Sequence, residues 1–492
     1  MNKWAVGGAA LAAVAVAGVL GGSYGMGGPI EAGFQDAAVR ASGDGLTVEV
    51  LRYQRGWLHS TAETLWTYDS GNANEAVGEE EDDADNADSA HAAAPHESVQ
   101  FKVTHRITHG PWAMGHAAQV DSDFVLTAGA NPQLQAALED RPALQVRSNV
   151  GWGRSSSHSA SAPPLQWTSE ATTITWGGLQ AQWQMPADLR GVQGQLLLPT
   201  LRMQDAAQGQ LELTGASLQL DLQQPAGQPL PTGPWKLQLA SLVHQPAAAE
   251  AGTDEADKAS SQDERFAIQA LQLDSRTTLQ GDAAQMALNG TLQSLHIGGH
   301  QASDVVLEAA LRNLDAAWLQ QALSWRQDGS AAAAERLQQL TLQLPQVLAR
   351  QPALDISRLS LRTPEGLSEL GATLAYAGDG QQPQQLLQDL QASLRAQLPE
   401  PVLRDLLVQR VRHGLLQLLE EEGRDDVDTA DLEAAVQANV TERLATLKTL
   451  GALQAEGPRW RIQLDIAQGQ LRLNGQNLDA AASQQLLQAL LQ

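Results

Sequence analysis

The chain has 492 residues, no cysteine, a formal net charge of −25 and 43% apolar residues, few of them aromatic. The missing cysteines exclude disulfides, iron–sulfur clusters and thiolate chemistry and suit an oxidising compartment. The charge argues against a nucleic-acid surface, which needs a clustered basic face. The length fits two or three domains or one very extended one.

The chain opens with Lys3 and an apolar, small-residue run from Trp4 to Leu20, continuing through a Gly-rich segment to Ile30. A helix needs about 20 residues to cross roughly 30 Å of hydrocarbon. Two readings compete here: a signal peptide cleaved after Ala15-Val16-Ala17, and an uncleaved signal anchor. The residues past Ala17 stay small and apolar, with GxxxG spacings at Gly18/Gly22 and Gly21/Gly25. That favours the anchor, a transmembrane helix within 1–30. In both readings the bulk of the chain is exported.

Residues 31–300 read as β-rich. YQRGWLHSTAE (53–63) carries Arg55 and His59 around Gly56 and Trp57. We read it as a strand in which Gly56 makes a β-bulge or bend. Arg55 and Trp57 would then share a face, allowing guanidinium–indole packing. From Asp69 to Glu97 there are ten acidic residues and no Lys or Arg. Such a stretch cannot bury enough surface to order itself, and it lacks the fixed offsets of a calcium loop. A second acidic insertion covers 246–264. Between and beyond them Leu and Gln alternate, in QLELTGASLQLDL (210–222), WKLQLASLV (235–243), AIQALQLDSRTTL (267–279) and TLQLP (341–345). Period 2 indicates strands although Leu and Gln prefer helices. Gly215, Gly281, Gly290, Gly469 and Gly475 recur at turn-like spacing, giving long antiparallel meanders.

Residues 301–492 read as an α+β region. Short helices are expected at 315–326, 330–350 and 479–491. Pro401 opens a helix whose stripe is Leu403, Leu407, Val411, Leu415 and Leu418. The next helix carries Leu432, Val436, Val440, Leu444 and Leu447 and closes at Gly451. With the acidic turn Arg424–Asp428 between them, the spacing predicts an antiparallel helical hairpin over 401–450, followed by a terminal β-hairpin over 459–474. The fold class is therefore α+β: a long curved antiparallel sheet, a C-terminal helical hairpin and one N-terminal transmembrane helix.

Three patches occur in order: YQRGWLHS at 53–60, THGPWAM at 108–114 and QLDIAQGQLRLNGQNLD at 463–479. With the basic N-terminus and apolar run, they resemble the YdgA family of Gram-negative bacteria. That resemblance implies an inner-membrane-anchored protein with a large periplasmic body and a function uncharacterised at family level. It implies no catalytic residues. The residues that carry it are Tyr53, Arg55, Gly56, Trp57, His109, Gly110, Pro111, Asn474 and Gly475. SDVVLEAALRNLDAAWLQQA (303–322) is similar to the strand–helix unit of AsmA-like envelope proteins, a group implicated in moving or organising lipids.

No nucleophile elbow, P-loop, dinucleotide fingerprint or HExxH helix occurs. His91, His96, His105, His109 and His116 lie close in sequence. Four residues along a strand span about 13 Å, too far for His105 and His109 to share one ion. His109-Gly110-Pro111-Trp112 reads as a strand-ending turn. Gly153-Arg154-Ser155-Ser156-Ser157-His158 reads as a Ser-rich loop without an orienting third group. Arg410, Arg412 and His413 form a basic cluster on a helix, explained by solvated charges or by a lipid headgroup. The expectation is a non-enzymatic protein with no catalytic residues, cofactor or metal, anchored in the inner membrane. A lipid along the sheet and a homodimer are its candidate partners.

Overall fold

The computed structural model describes residues 46–69, 98–109, 113, 115–128, 132–169, 171–247, 265–324, 343–379, 386–421, 429–479, 481–483 and 486. The run at 1–30, the turn 424–428, nearly all of both acidic insertions, and Gly110, Pro111 and Trp112 lie outside them. The fold is a β-rich α+β fold, mostly antiparallel sheet with a few helices. It divides into two compact units, Met1–Ala267 with Ala322–Ala332, and Ile268–Gln321 with Ala333–Gln492.

The first unit contains β1 (Leu46–Gln54), β2 (His59–Asp69), β3 (Ser98–His109), β4 (Ala118–Ala128), α1 (Pro132–Leu138), β5 (Leu144–Val150) and β6 (Ser156–Ala162). It continues with β7 (Leu165–Ser169), β8 (Thr172–Trp176), β9 (Leu179–Met185), β10 (Gly191–Asp205), β11 (Gly209–Gln223) and β12 (Gly233–Gln245). Antiparallel pairing runs β1–β2–β3–β4–β5–β6–β9–β10–β11–β12. The β7–β8 hairpin joins β10 through β8. Strand β4 shows why these sequences fold as strands. Val120, Ser122, Phe124 and Leu126 face inward, while Asp121 and Asp123 face out to Arg147 and Arg106, each at 2.6 Å. Cross-strand pairs of this kind reinforce the register that the apolar alternation sets.

The inner face buries Trp66, Val103, Phe124, Leu144, Val146, Ala160 and Trp183 in one cluster, and all its described members lie on strands. Trp66 meets Phe124 edge-on, with ring centroids 5.5 Å apart, a favoured aromatic geometry. A second cluster places Trp167, Ile174, Trp176, Leu179 and Met203 against Leu134 and Ala137 of α1.

Four readings from the sequence are corrected. YQRGWLHSTAE is not one strand: Tyr53 and Gln54 end β1, Arg55 to Leu58 form a hairpin loop, and β2 starts at His59. The irregularity in the β1–β2 register falls between Val50 and Arg52 and not at Gly56. Gly215 and Gly290 are not turns but lie inside β11 and a strand of the second unit. At Gly215 φ is +61° and an added Cβ would meet the Ala240 Cβ at 2.8 Å, so glycine serves a close approach of strands. Ser156, Ser157 and His158 belong to strand β6, not to a Ser-rich loop, because small residues alternate there between buried and open positions. Residues 343–349 are helical, so TLQLP is not a strand where it is described. Five residues of alternation are too few to fix a strand.

The second unit holds β13 (Phe266–Gln280) beyond its first two residues, β14 (Ala283–Ile297), β15 (His300–Asp315), α2 (Ala316–Ser324) up to Gln321, β16 (Ala353–Thr363), β17 (Gly366–Tyr376) and β18 (Leu390–Pro399). Then come α3 (Glu400–Glu421), α4 (Thr429–Thr449), β19 (Gln454–Glu456), β20 (Arg459–Ala467), β21 (Gln470–Leu473) and β22 (Gln476–Asn477). Pairing runs antiparallel from β14 through β18 to β20, β21 and β22, with β19 on β20. Asp315 caps α2 by accepting from the Trp318 amide at 2.9 Å. Helices α3 and α4 pack antiparallel through Leu403, Leu407, Val411, Val436, Val440, Leu444 and Leu447. They cover the face formed by Leu398, Trp460, Ile462, Leu464 and Leu473. Leu418 departs from the expected stripe and is 55% exposed; α4 begins only at Thr429, so the seam between the helices stops short of it.

Candidate functional site

The patches YQRGWLHS and TH (108–109) meet at one end of β2 and β3. The Gly56 amide donates to Ser60 Oγ at 3.3 Å, and Ser60 Oγ lies 3.1 Å from His109 Nε2. The His109 amide donates to the Leu58 carbonyl at 3.0 Å, and His59 Nδ1 is 3.2 Å from Thr108 Oγ1. An added Cβ at Gly56 would stand 1.9 Å from the His59 carbonyl oxygen, so only glycine fits the loop. Trp57 points away and is 92% exposed. The expected packing of Trp57 on Arg55 is therefore absent, because neither residue lies on a sheet face. In the second unit Asn474 and Gly475, at φ +49° and +83°, form the two-residue turn between β21 and β22, the conformation that Asn-Gly favours. Asn474 Nδ2 donates to the carbonyls of Gly451 and Ala452 at 2.6 and 3.0 Å, and its Oδ1 accepts from the Gln463 amide at 2.9 Å. These residues organise backbone; none of them presents a reactive group to a cleft.

Two histidines sit within the inner face of the first unit. His105 bridges Ser122 Oγ (2.8 Å) and Thr64 Oγ1 (3.0 Å), and Thr64 also accepts from the Trp66 indole at 2.8 Å. His158 bridges Ser148 Oγ (2.9 Å) and Ser156 Oγ (2.8 Å) and stacks on Trp183 at 5.0 Å. Burial lowers the pKa of each to about 4, so both rings are neutral at pH 7. A Ser–His hydrolase holds its imidazole with a carboxylate; here a hydroxyl, Ser148, takes that position. The sequence hid this network because its Ser, Thr and His residues come from five strands. Their signal is period-2 placement among apolar neighbours.

At the strand ends of the first unit lies a cavity of about 640 Å³, lined by His116, Gly151, Ser156, Met185, Arg190, Val192 and the turn after β11. Beyond it, strands β10, β11 and β12 present rows of apolar residues. Leu196 is opposite Leu218 and Leu218 opposite Leu237; Leu201, Leu213 and Leu242 form another row. All six are half-buried, and Leu196 and Leu201 also pack against the cluster of Trp167, Ile174, Trp176, Leu179 and Met203. Arg412 of the helical basic cluster is engaged by Glu433 at 2.6 Å across the helix pair. Among the described residues no group of three His, Asp or Glu side chains could hold a metal, and no helix is long and apolar enough to cross a membrane.

Comparison with known proteins adds a family to this geometry. The description "bacterial protein of unknown function (DUF945)" matches residues 1–481. The chain belongs to the DUF945 family. The match spans residues of both compact units. No curated protein and no solved structure matches the chain.

Proposed function

We propose that this DUF945 protein is a non-enzymatic envelope protein, anchored in the inner membrane through residues 1–30 with its body in the periplasm. In this reading it holds acyl chains along an apolar sheet face during envelope assembly or maintenance. The YdgA-type patches and the AsmA-like unit at 303–322 support the placement. The observation that carries the ligand is the half-buried leucine rows across β10, β11 and β12. Contiguous apolar surface left partly open on a soluble body serves as a binding surface, and β-structures hold hydrophobic ligands on such faces. The test is native mass spectrometry of the full chain purified from bacterial membranes. Phospholipid is expected on the wild type and about tenfold less on Leu218→Glu, since a carboxylate on the face must be desolvated. A body that purifies lipid-free under these conditions would sink the reading.

A second reading is a homodimeric interaction scaffold. Leu406, Leu416 and Leu418 of α3 are 56%, 47% and 55% exposed, which favours self-association through the helix pair. Crosslinking at native expression that recovers only monomer excludes it.

A further inference from the structure

Every strand of the first unit's meander is antiparallel to its neighbour, so the loops sort to two ends of the sheet. One end collects the loops β1–β2, β3–β4, β5–β6, β9–β10 and β11–β12, as the adjoining pairs His59↔Thr108, His109↔Ala118, Val150↔Ser156 and Gly191↔Gln223 require. The other end holds the paired residues Asp69 and Ser98, where the chain enters and leaves the first acidic insertion. Gln245, which leads into the second insertion, pairs with Gln210 at that same end.

The loop-rich end has an unusual surface for a chain of net charge −25. Trp57, Trp152 and Leu189 sit at three of its loop tips, 92%, 65% and 46% exposed. Each has an arginine within two residues: Arg55, Arg154 and Arg190, all exposed, against one aspartate, Asp188, in the same loops. The 11-residue strand β2 puts about 35 Å between the two ends. Charges interact over about 8 Å at physiological ionic strength, so Asp69 at the far end of β2 does not cancel the basic rim. Tryptophan rings with neighbouring cations are the side chains that settle at a bilayer's polar boundary.

We propose that this rim of the first unit docks on an anionic phospholipid surface, with Trp57, Trp152 and Leu189 entering the interface and the three arginines meeting phosphates. The cavity beside Arg190 opens among the same loops, so docking brings its mouth to the lipid headgroups. This goes beyond the acyl-chain reading, since it concerns strand ends and not the leucine face.

The chain has no cysteine, so one introduced thiol can be labelled uniquely. Gly153→Cys lies between Trp152 and Arg154, and a Cβ there meets nothing within 4 Å. Ala207→Cys, on the exposed β10–β11 turn, reports the opposite end. Each full-length variant carries an environment-sensitive fluorophore and is mixed with vesicles of phosphatidylethanolamine and phosphatidylglycerol containing spin-labelled lipid. The label at 153 is expected to shift to the blue and be quenched, with the label at 207 unaffected. Adding Trp57→Ser, Trp152→Ser and Leu189→Ser should cut quenching at 153 about fivefold with the circular dichroism spectrum unchanged. Equal quenching at both positions, no quenching at 153, or quenching that survives the triple substitution overturns the proposal. A rim silent toward vesicles but shielded by a protein in membrane extracts would also overturn it, in favour of a protein partner. Co-purified phospholipid reports the leucine face and should be unchanged in the triple variant, so the two proposals fail independently.

Discussion

His105 and His158 each place an imidazole among hydroxyls in the interior, with a pKa lowered by burial from 6.5 to about 4. Above pH 6.5 neither the folded nor the unfolded chain binds a proton there. Between pH 6.5 and about 4 the unfolded chain binds protons that the fold refuses, so stability falls as pH falls, by about 1.4 kcal/mol per pH unit and per histidine. Urea midpoints measured at pH 7.5 and pH 5 should show the loss, and His105→Gln with His158→Gln should flatten it. An unchanged slope in that variant would remove the histidines as the cause. Gly56 gives the other prediction at this scale. Gly56→Val drives a side chain into the His59 carbonyl and should cost about 2–4 kcal/mol in denaturant titrations, before any specific activity is touched. The need for glycine was legible in the sequence, but its reason was not. Arg55 and Trp57 suit a strand face as well as a loop tip, and only the pairing of Gln54 with Thr61 decides for the loop.

Among elements, period-2 patterning located strands wherever it ran long. QLELTGASLQLDL lies wholly inside β11, and WKLQLASLV inside β12. It failed at Gly215 and Gly290, because glycine marks a turn and a tight inter-strand approach with the same letter. The stripes of α3 and α4 were readable because each runs for about four turns, although Leu418 falls outside the first. The ends of elements are knotted by polar residues whose partners are remote in sequence. Asn474 is the clearest case, reaching two carbonyls beyond α4 and one amide of β20. Asn474→Ala strips three hydrogen bonds and should destabilise the second unit by about 2–4 kcal/mol. Asn474→Asp keeps the acceptor for Gln463 but sets a carboxylate oxygen against the carbonyls of Gly451 and Ala452, and should cost at least as much. Hydrogen exchange at the Gly451–Leu453 amides reads the difference, and protection equal to wild type in the alanine variant would refute the role.

For the whole molecule, the split into two compact units, each with its own apolar clusters, predicts more than one thermal transition. The calorimetric enthalpy should exceed the van't Hoff enthalpy; equality of the two would show a single cooperative body. Composition and alternation made the β-rich class legible. The candidate site was not, because the rim forms from loops up to 135 residues apart, Arg55 to Arg190, that only the antiparallel order gathers. No motif search finds residues that share nothing but the end of a sheet.

The helix pair of the second unit has a consequence for the order in which the chain matures. Helices α3 and α4 are made between β18 and β20, yet the face they cover includes β20 and β21, and their core includes Leu486, 1% exposed. While a ribosome is still adding residues 460–486, those leucines and valines can close against each other and Leu398 but not against the rest of their core. The second unit is thus committed to folding late, and until then a holding factor would find its target in the uncovered face of the helix pair.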